Sequence, residues 1–179
     1  MKKLSQSSFQ KTRNFTVEQG RELDQHLFQF HFEDGNKESV LEALSAYQNE
    51  DGGFGKALEP DLRSPLSTAY TTSQGLFILR EIGASSEEPM VQKAIQYLLD
   101  NYDEEHSIWP IIPREALEAP HAGHWKDIIE KEFDEFFINM RAGIAGHFWH
   151  YYDLVPEGFA EKITEEARSE EYTSELQSP

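Results

Sequence analysis

The sequence predicts an all-α protein assembled from antiparallel helical hairpins. Apolar residues recur at helical spacing along the 179 residues, and no stretch keeps the period-two alternation of a half-buried strand. Short turns at 33–36, 83–86 and 155–156 each join two such segments, and long Gly- and Pro-rich loops separate the pairs. The order helix, short turn, helix, long loop therefore recurs. Ala43, Leu44 and Phe54 line up with Ala94, Ile95 and Trp109 at a spacing of roughly 50 residues, which suits a two-helix repeat.

The first helix is expected over 8–32, where Phe15, Leu23, Leu27, Phe28 and Phe30 form an apolar face and Asp34-Gly35 supplies the stop. The second, 37–48, carries Val40, Leu41, Leu44 and Tyr47. A loop over 49–66 follows. Ser67 or Thr68 is the expected cap of a third helix bearing Leu76, Phe77, Leu79 and Ile82, which stops at Gly83. The fourth, 87–101, buries Val91, Ile95, Leu98 and Leu99. A second long loop, 102–136, holds Trp109 and three prolines, with a short helix expected over 125–133. The fifth helix covers 140–154, and a sixth starts at Pro156, where proline suits the first turn.

Sixteen basic against 33 acidic side chains give a net charge of −17, a field that repels nucleic-acid phosphates and anionic membrane surfaces. The chain has no cysteine, which excludes disulfides and thiolate zinc sites. No run of about 18 apolar residues is present, so no membrane span is expected. The start has two lysines but no apolar core of a signal peptide, and a cytoplasmic location is the expectation.

The most distinctive segment is Gln48-Asn49-Glu50-Asp51-Gly52-Gly53-Phe54-Gly55. Gly52 and Gly53 let the chain reverse after a helix, Asp51 can bond backbone N–H groups in the turn, and Gln48 can bond backbone of the next unit. Phe54 would fill the gap between hairpins. A helix ending in Gln, followed by Asp-Gly-Gly and an aromatic residue, resembles the repeat of squalene-hopene cyclases, protein prenyltransferase β-subunits and related α/α toroids. With Lys56-Ala57-Leu58-Glu59-Pro60-Asp61-Leu62-Arg63 added, the pattern is similar to a group of uncharacterised bacterial proteins described as prenyltransferase-like or cyclase-like. The resemblance spans residues 8–167 and implies about half of an (α/α)6 toroid in a domain 1–167, with three hairpins and possible self-association through the truncated flank.

Departures from the characterised families bear on activity. The Asp-x-Asp-Asp acid of class II cyclases does not occur, the zinc-binding cysteine of protein prenyltransferases is missing, and Asp100-Asn101-Tyr102-Asp103 is not the magnesium motif of class I synthases. Glu59 and Asp61 are candidate acid/base groups, with Arg63 tuning the pair or binding an anion; the alternative is a loop staple in which Arg63 bridges carboxylates. In Pro120-His121-Ala122-Gly123-His124-Trp125, His121 is a third catalytic candidate, and His121 with His124 has the spacing to share a metal, although a neutral packed histidine is the commoner arrangement. No metal or cofactor is assigned. His147 and His150 flank Phe148-Trp149 and with Tyr151 and Tyr152 form an aromatic cluster.

Three functions compete. The resemblance implies an enzyme acting on a hydrophobic isoprenoid-type substrate. A carbohydrate-processing α/α barrel would use paired carboxylates with Trp109, Trp125 and Trp149 stacking on sugar. A non-catalytic binding scaffold would use the acidic surface. Residues 168–179 resemble the translation of a sequencing adapter, so they are expected to form a disordered tail, and the fragment is expected to be inactive.

Overall fold

The computed structural model describes residues 4–131 and 134–177, with side chains described outside 130–139 and 169–179. Its described residues hold eight α-helices and two short 3-10 segments, with only isolated β-bridges and no strand. The all-α expectation matches this. Two compact units divide the chain, Met1–Ala46 and Tyr47–Pro179.

The first unit contains α1 (Gln6–Gln19), α2 (Glu22–Phe32) and α3 (Lys37–Ser45). The single helix expected over 8–32 is broken, because Gly20 and Arg21 both take extended backbone. The Asp24 carboxylate holds that break by accepting from the Arg21 backbone N–H at 3.1 Å and from its guanidinium at 2.9 Å. Asn36 caps α3 by accepting from the Ser39 N–H at 2.8 Å. Leu23, Phe28, Val40, Ala43 and Leu44 make the core between α2 and α3.

The second unit contains α4 (Ala69–Glu81), α5 (Pro89–Asp100), a 3-10 segment Arg114–Glu118, α6 (Gly123–Lys131), α7 (Asp134–His150), a 3-10 turn Tyr152–Leu154 and α8 (Phe159–Gln177). Thr68 caps α4, its hydroxyl accepting from the Thr71 N–H at 2.9 Å, and Pro89 opens α5. Gly83, at φ 68° in the left-handed region, follows the end of α4 and turns the chain towards α5. Helix α4 packs on both α5 and α7, and α7 packs on α8, so α4 is shared between two hairpins. Leu76, Leu79, Val91, Ile95, Leu98, Ile144, Phe148 and Ile163 fill the space between these helices. The 125–133 helix begins two residues early at Gly123, and its expected end lies outside the described residues. Helix α8 runs on to Gln177, so helical backbone spans both sides of the 167/168 boundary.

The loop from Tyr47 to Thr68 is held by main-chain bonds together with side chains that bond the backbone. Gln48 donates its side-chain amide to the Gly52 carbonyl at 2.9 Å and to the Met90 carbonyl in the first turn of α5 at 3.0 Å. The Asp51 carboxylate accepts from the Gly53 N–H at 3.0 Å and from the Ser67 hydroxyl at 2.7 Å. Phe54, fully buried, bridges to Gln48 on one side and Thr68 on the other. Gly52 sits at φ 90°, and a side chain there would meet the Lys93 carbonyl at 2.5 Å.

Candidate functional site

Beyond the glycine turn the chain makes a second tight structure over 56–63. Lys56 and Ala57 both take left-handed backbone, at φ 51° and 63°, uncommon for side chains with a Cβ. The Leu62 N–H then donates to the Glu59 carbonyl at 3.1 Å, closing a turn around Pro60. Leu58 and Leu62 are buried and pin the segment, leaving Glu59 half-buried and Asp61 exposed at its rim.

This turn is zipped to the 120–122 segment. Arg63 N–H donates to the Pro120 carbonyl at 3.0 Å and Ala122 N–H to the Asp61 carbonyl at 2.8 Å, with Leu62 and His121 paired as an isolated bridge. The zipper carries Trp125 over the carboxylates: its indole N–H donates to Asp61 Oδ1 at 2.8 Å. Trp125 is buried and meets the Tyr70 ring edge-on at 5.0 Å.

Glu59 and Asp61 hydrogen-bond to each other. Burial, the negative charge of Asp61 and that hydrogen bond together hold the Glu59 carboxyl above the usual carboxylate range, against the hydrogen bonds from the Asp61 backbone N–H and from Tyr70, which favour the charged form. Burial and the charge of Glu59 push the Tyr70 phenol up as well, so it stays a neutral donor to Glu59. An Asp61→Asn substitution is expected to lower the Glu59 midpoint without restoring the ordinary value, because burial, the larger cause, remains. Carbon-detected NMR titration of the Glu59 carboxyl reads this, and an unmoved midpoint would show that Asp61 has no part in holding the proton.

The sequence-derived candidates separate in space. Glu59, Asp61 and Trp125 come together. The histidine that reaches them is His124, with Nε2 at 3.6 Å from Asp61 Oδ2, whereas the His121 ring bonds the Ala119 carbonyl through Nδ1 at 2.8 Å. The exposed Arg63 side chain makes no ion pair with either carboxylate among the described residues. Trp109 is in the core at 1% exposure, its N–H donating to the Leu98 carbonyl at 2.7 Å and its ring against Tyr102 and Phe148, so no face is open to a ligand. Among the described residues no group of three His, Cys, Asp or Glu side chains is placed to hold a metal.

Tyr70, not singled out from the sequence, links the carboxylate pair to a groove of about 490 Å³ between α4 and α7. Tyr70, Ser73, Phe77 and Arg80 line one side at helical spacing, and Met140, Gly143, Gly146 and His147 line the other. His147 is buried, with Nε2 at 3.1 Å from Ser73 Oγ and Nδ1 at 3.3 Å from Arg80 Nη1. A guanidinium has only donors, so Nδ1 must accept and Nε2–H must donate to Ser73. That direction is opposite to the one a serine nucleophile needs, and the trio is not a Ser–His catalytic pair. Burial first, and the Arg80 charge second, hold His147 down to about 4, so the imidazole is neutral. The signal in the sequence was the run of Tyr70, Ser73, Gln74, Phe77 and Arg80 along one face of α4.

No family model matches the chain, and no curated protein or solved structure matches it.

Proposed function

We propose that Tyr47–Pro179 forms a small-molecule site in which Glu59 acts as general acid/base at the end of the α4–α7 groove, on a hydrophobic isoprenoid-type substrate. The observation that carries this reading is Tyr70, which hydrogen-bonds Glu59 and at the same time walls the groove. A carboxyl held above its ordinary range is a better-matched proton donor and acceptor than a free one, and a raised value in a cleft marks a functional candidate. The resemblance of residues 48–63 to the cyclase- and prenyltransferase-like toroids supports the same substrate class, although the fold alone does not supply a reaction.

The groove favours a hydrophobic ligand over a sugar. Sugar subsites present open aromatic faces, but Trp109 and Trp125 are both buried, and the exposed Trp149 stacks on Tyr152 and does not line the groove. Groove residues are instead Phe77, Met140, Ala142 and two glycines beside a few polar groups. The third reading, a scaffold without chemistry, gives no role to a carboxyl raised by a second carboxylate beside it.

Incubation of the protein with an isoprenoid alcohol in heavy water tests the reading. Reversible protonation of the alkene by Glu59 places a deuteron on carbon and returns a proton to the carboxylate, so mass spectrometry should show deuterium incorporation that Glu59→Gln abolishes. Binding without incorporation would overturn the acid/base role, and absence of binding would overturn the substrate class.

A further inference from the structure

We propose that the α4–α7 groove takes a small amphipathic monoanion, a carboxylate on an apolar body, with its charge on Arg80 and Ser73. The inference rests on the groove being a ligand site, as above, but not on any chemistry at Glu59.

Three independent observations converge on it. Arg80 is half-buried and pairs with no carboxylate among the described residues; its bond goes to His147, which is neutral. A cation taken partly out of water needs a counter-charge, and nothing described in the groove provides one. The tautomer of His147 uses Ser73 Oγ as an acceptor, which leaves the Ser73 hydroxyl hydrogen to donate beside the same cation. A guanidinium and a hydroxyl side by side are donors suited to a carboxylate.

The glycines supply the second observation. Gly53, Gly55 and Gly75 are dictated by contact, since a Cβ at each would come within 2.2 to 2.6 Å of a neighbour. Gly143 and Gly146 are different. A Cβ there would sit 3.6 Å from Ser73 Oγ and from Arg80 Nη1, ordinary packing distance, so the fold does not require glycine at either position. Each is unfavourable in the interior of α7 relative to alanine. What the missing side chains do is keep the groove open beside its two polar anchors.

The apolar wall is the third. Phe77 is 59% exposed and lines the groove with Met140 and Ala142, which gives an alkyl or aryl body a surface to cover. One cation fixes the charge: a phosphate dianion would bring a second negative charge into a chain of net charge −17 with one guanidinium to meet it.

Calorimetric titration with octanoate and with 1-octanol decides the matter, using wild type, Arg80→Gln and the Gly143→Ala/Gly146→Ala double variant. Octanoate should bind wild type and lose at least tenfold in affinity in Arg80→Gln, while octanol, bound by the wall alone, changes little. The double alanine variant should weaken both ligands while raising thermal stability, which separates loss of space from loss of folding. Absence of octanoate binding to wild type, equal affinity in Arg80→Gln, or tighter binding of inorganic phosphate than of octanoate would each overturn the proposal. Deuterium incorporation and octanoate binding are separate readouts, so failure of one reading does not imitate failure of the other.

Discussion

Replacing Phe54 with alanine is expected to cost about 4 kcal/mol, the range for removing a fully buried aromatic ring from a site that cannot collapse. The ring has no exposed area, and both flanks of its backbone are fixed by bridges to Gln48 and Thr68, with its own N–H donating to Thr72 Oγ1 at 2.9 Å. That main-chain frame holds the cavity open after truncation. Gly75 on α4 shows how tightly the ring is seated: a Cβ there would lie 2.6 Å from it. Gly75→Ala alone should therefore destabilise by about 1–3 kcal/mol through overpacking. In the Phe54→Ala background the same methyl enters vacated space, and the helix gains up to about 1 kcal/mol from losing a glycine. The sign of the Gly75→Ala effect should reverse between the two backgrounds. Denaturant midpoints of the four proteins measure it, and additive effects would rule out the ring-on-glycine packing as the source of the coupling.

The hairpins were legible because their punctuation is local. Asp34-Gly35 and Gly83 each stop a helix by backbone chemistry that needs no distant partner, whereas the helix expected from Pro156 starts at Phe159 and α7 already ends at His150. The break at Gly20 was not legible. One glycine inside a helical pattern is tolerated in many helices, and what decides here is Asp24 reaching back to the Arg21 N–H, a geometry that exists only once α2 has formed. The division at Ala46 falls at the end of α3, inside the helix expected over 37–48 and ahead of the loop expected from 49. Within the two units the described helices pair α2 with α3, α4 with α5 and α7 with α8.

At the site, residue types were legible and their partners were not. A Glu-Pro-Asp turn flanked by buried leucines declares two carboxylates held close together. Which histidine meets them depends on the zipper between 61–63 and 120–122, a contact across about 60 residues of chain with no sequence periodicity behind it. The pairing puts His121 opposite Leu62, with its Nδ1 on the Ala119 carbonyl, and returns His124 to Asp61. Trp109 and Trp125 look equivalent as sequence, yet one is sealed by Tyr102 and Phe148 while the other bonds Asp61. Aromatic content predicted burial area and could not say which ring would border the cleft.

The largest pH effect on stability is expected from His147. Its folded value is held down to about 4 from 6.5 by burial and then by the charges of Arg80 and, least, His150, with a hydrogen bond to the Ser73 backbone opposing the shift. Because the folded value lies below the unfolded one, the unfolded chain takes up the proton first as pH falls. The contribution is fully present above pH 6.5 and is lost between there and about pH 4, amounting to about 3 kcal/mol. Gln at this position can still accept from Arg80 and donate to Ser73 but does not titrate. Between pH 7 and 4 the wild type should therefore lose about 3 kcal/mol relative to His147→Gln in denaturant unfolding. Parallel curves for the two proteins would show that the buried imidazole is not held neutral. The same arrangement couples protonation to the groove. A ligand carboxylate on Arg80 would cancel the second cause of the shift and leave the first, so octanoate should raise the His147 midpoint without returning it to 6.5. Imidazole NMR titration with and without octanoate measures that rise, and its absence would place the carboxylate away from Arg80.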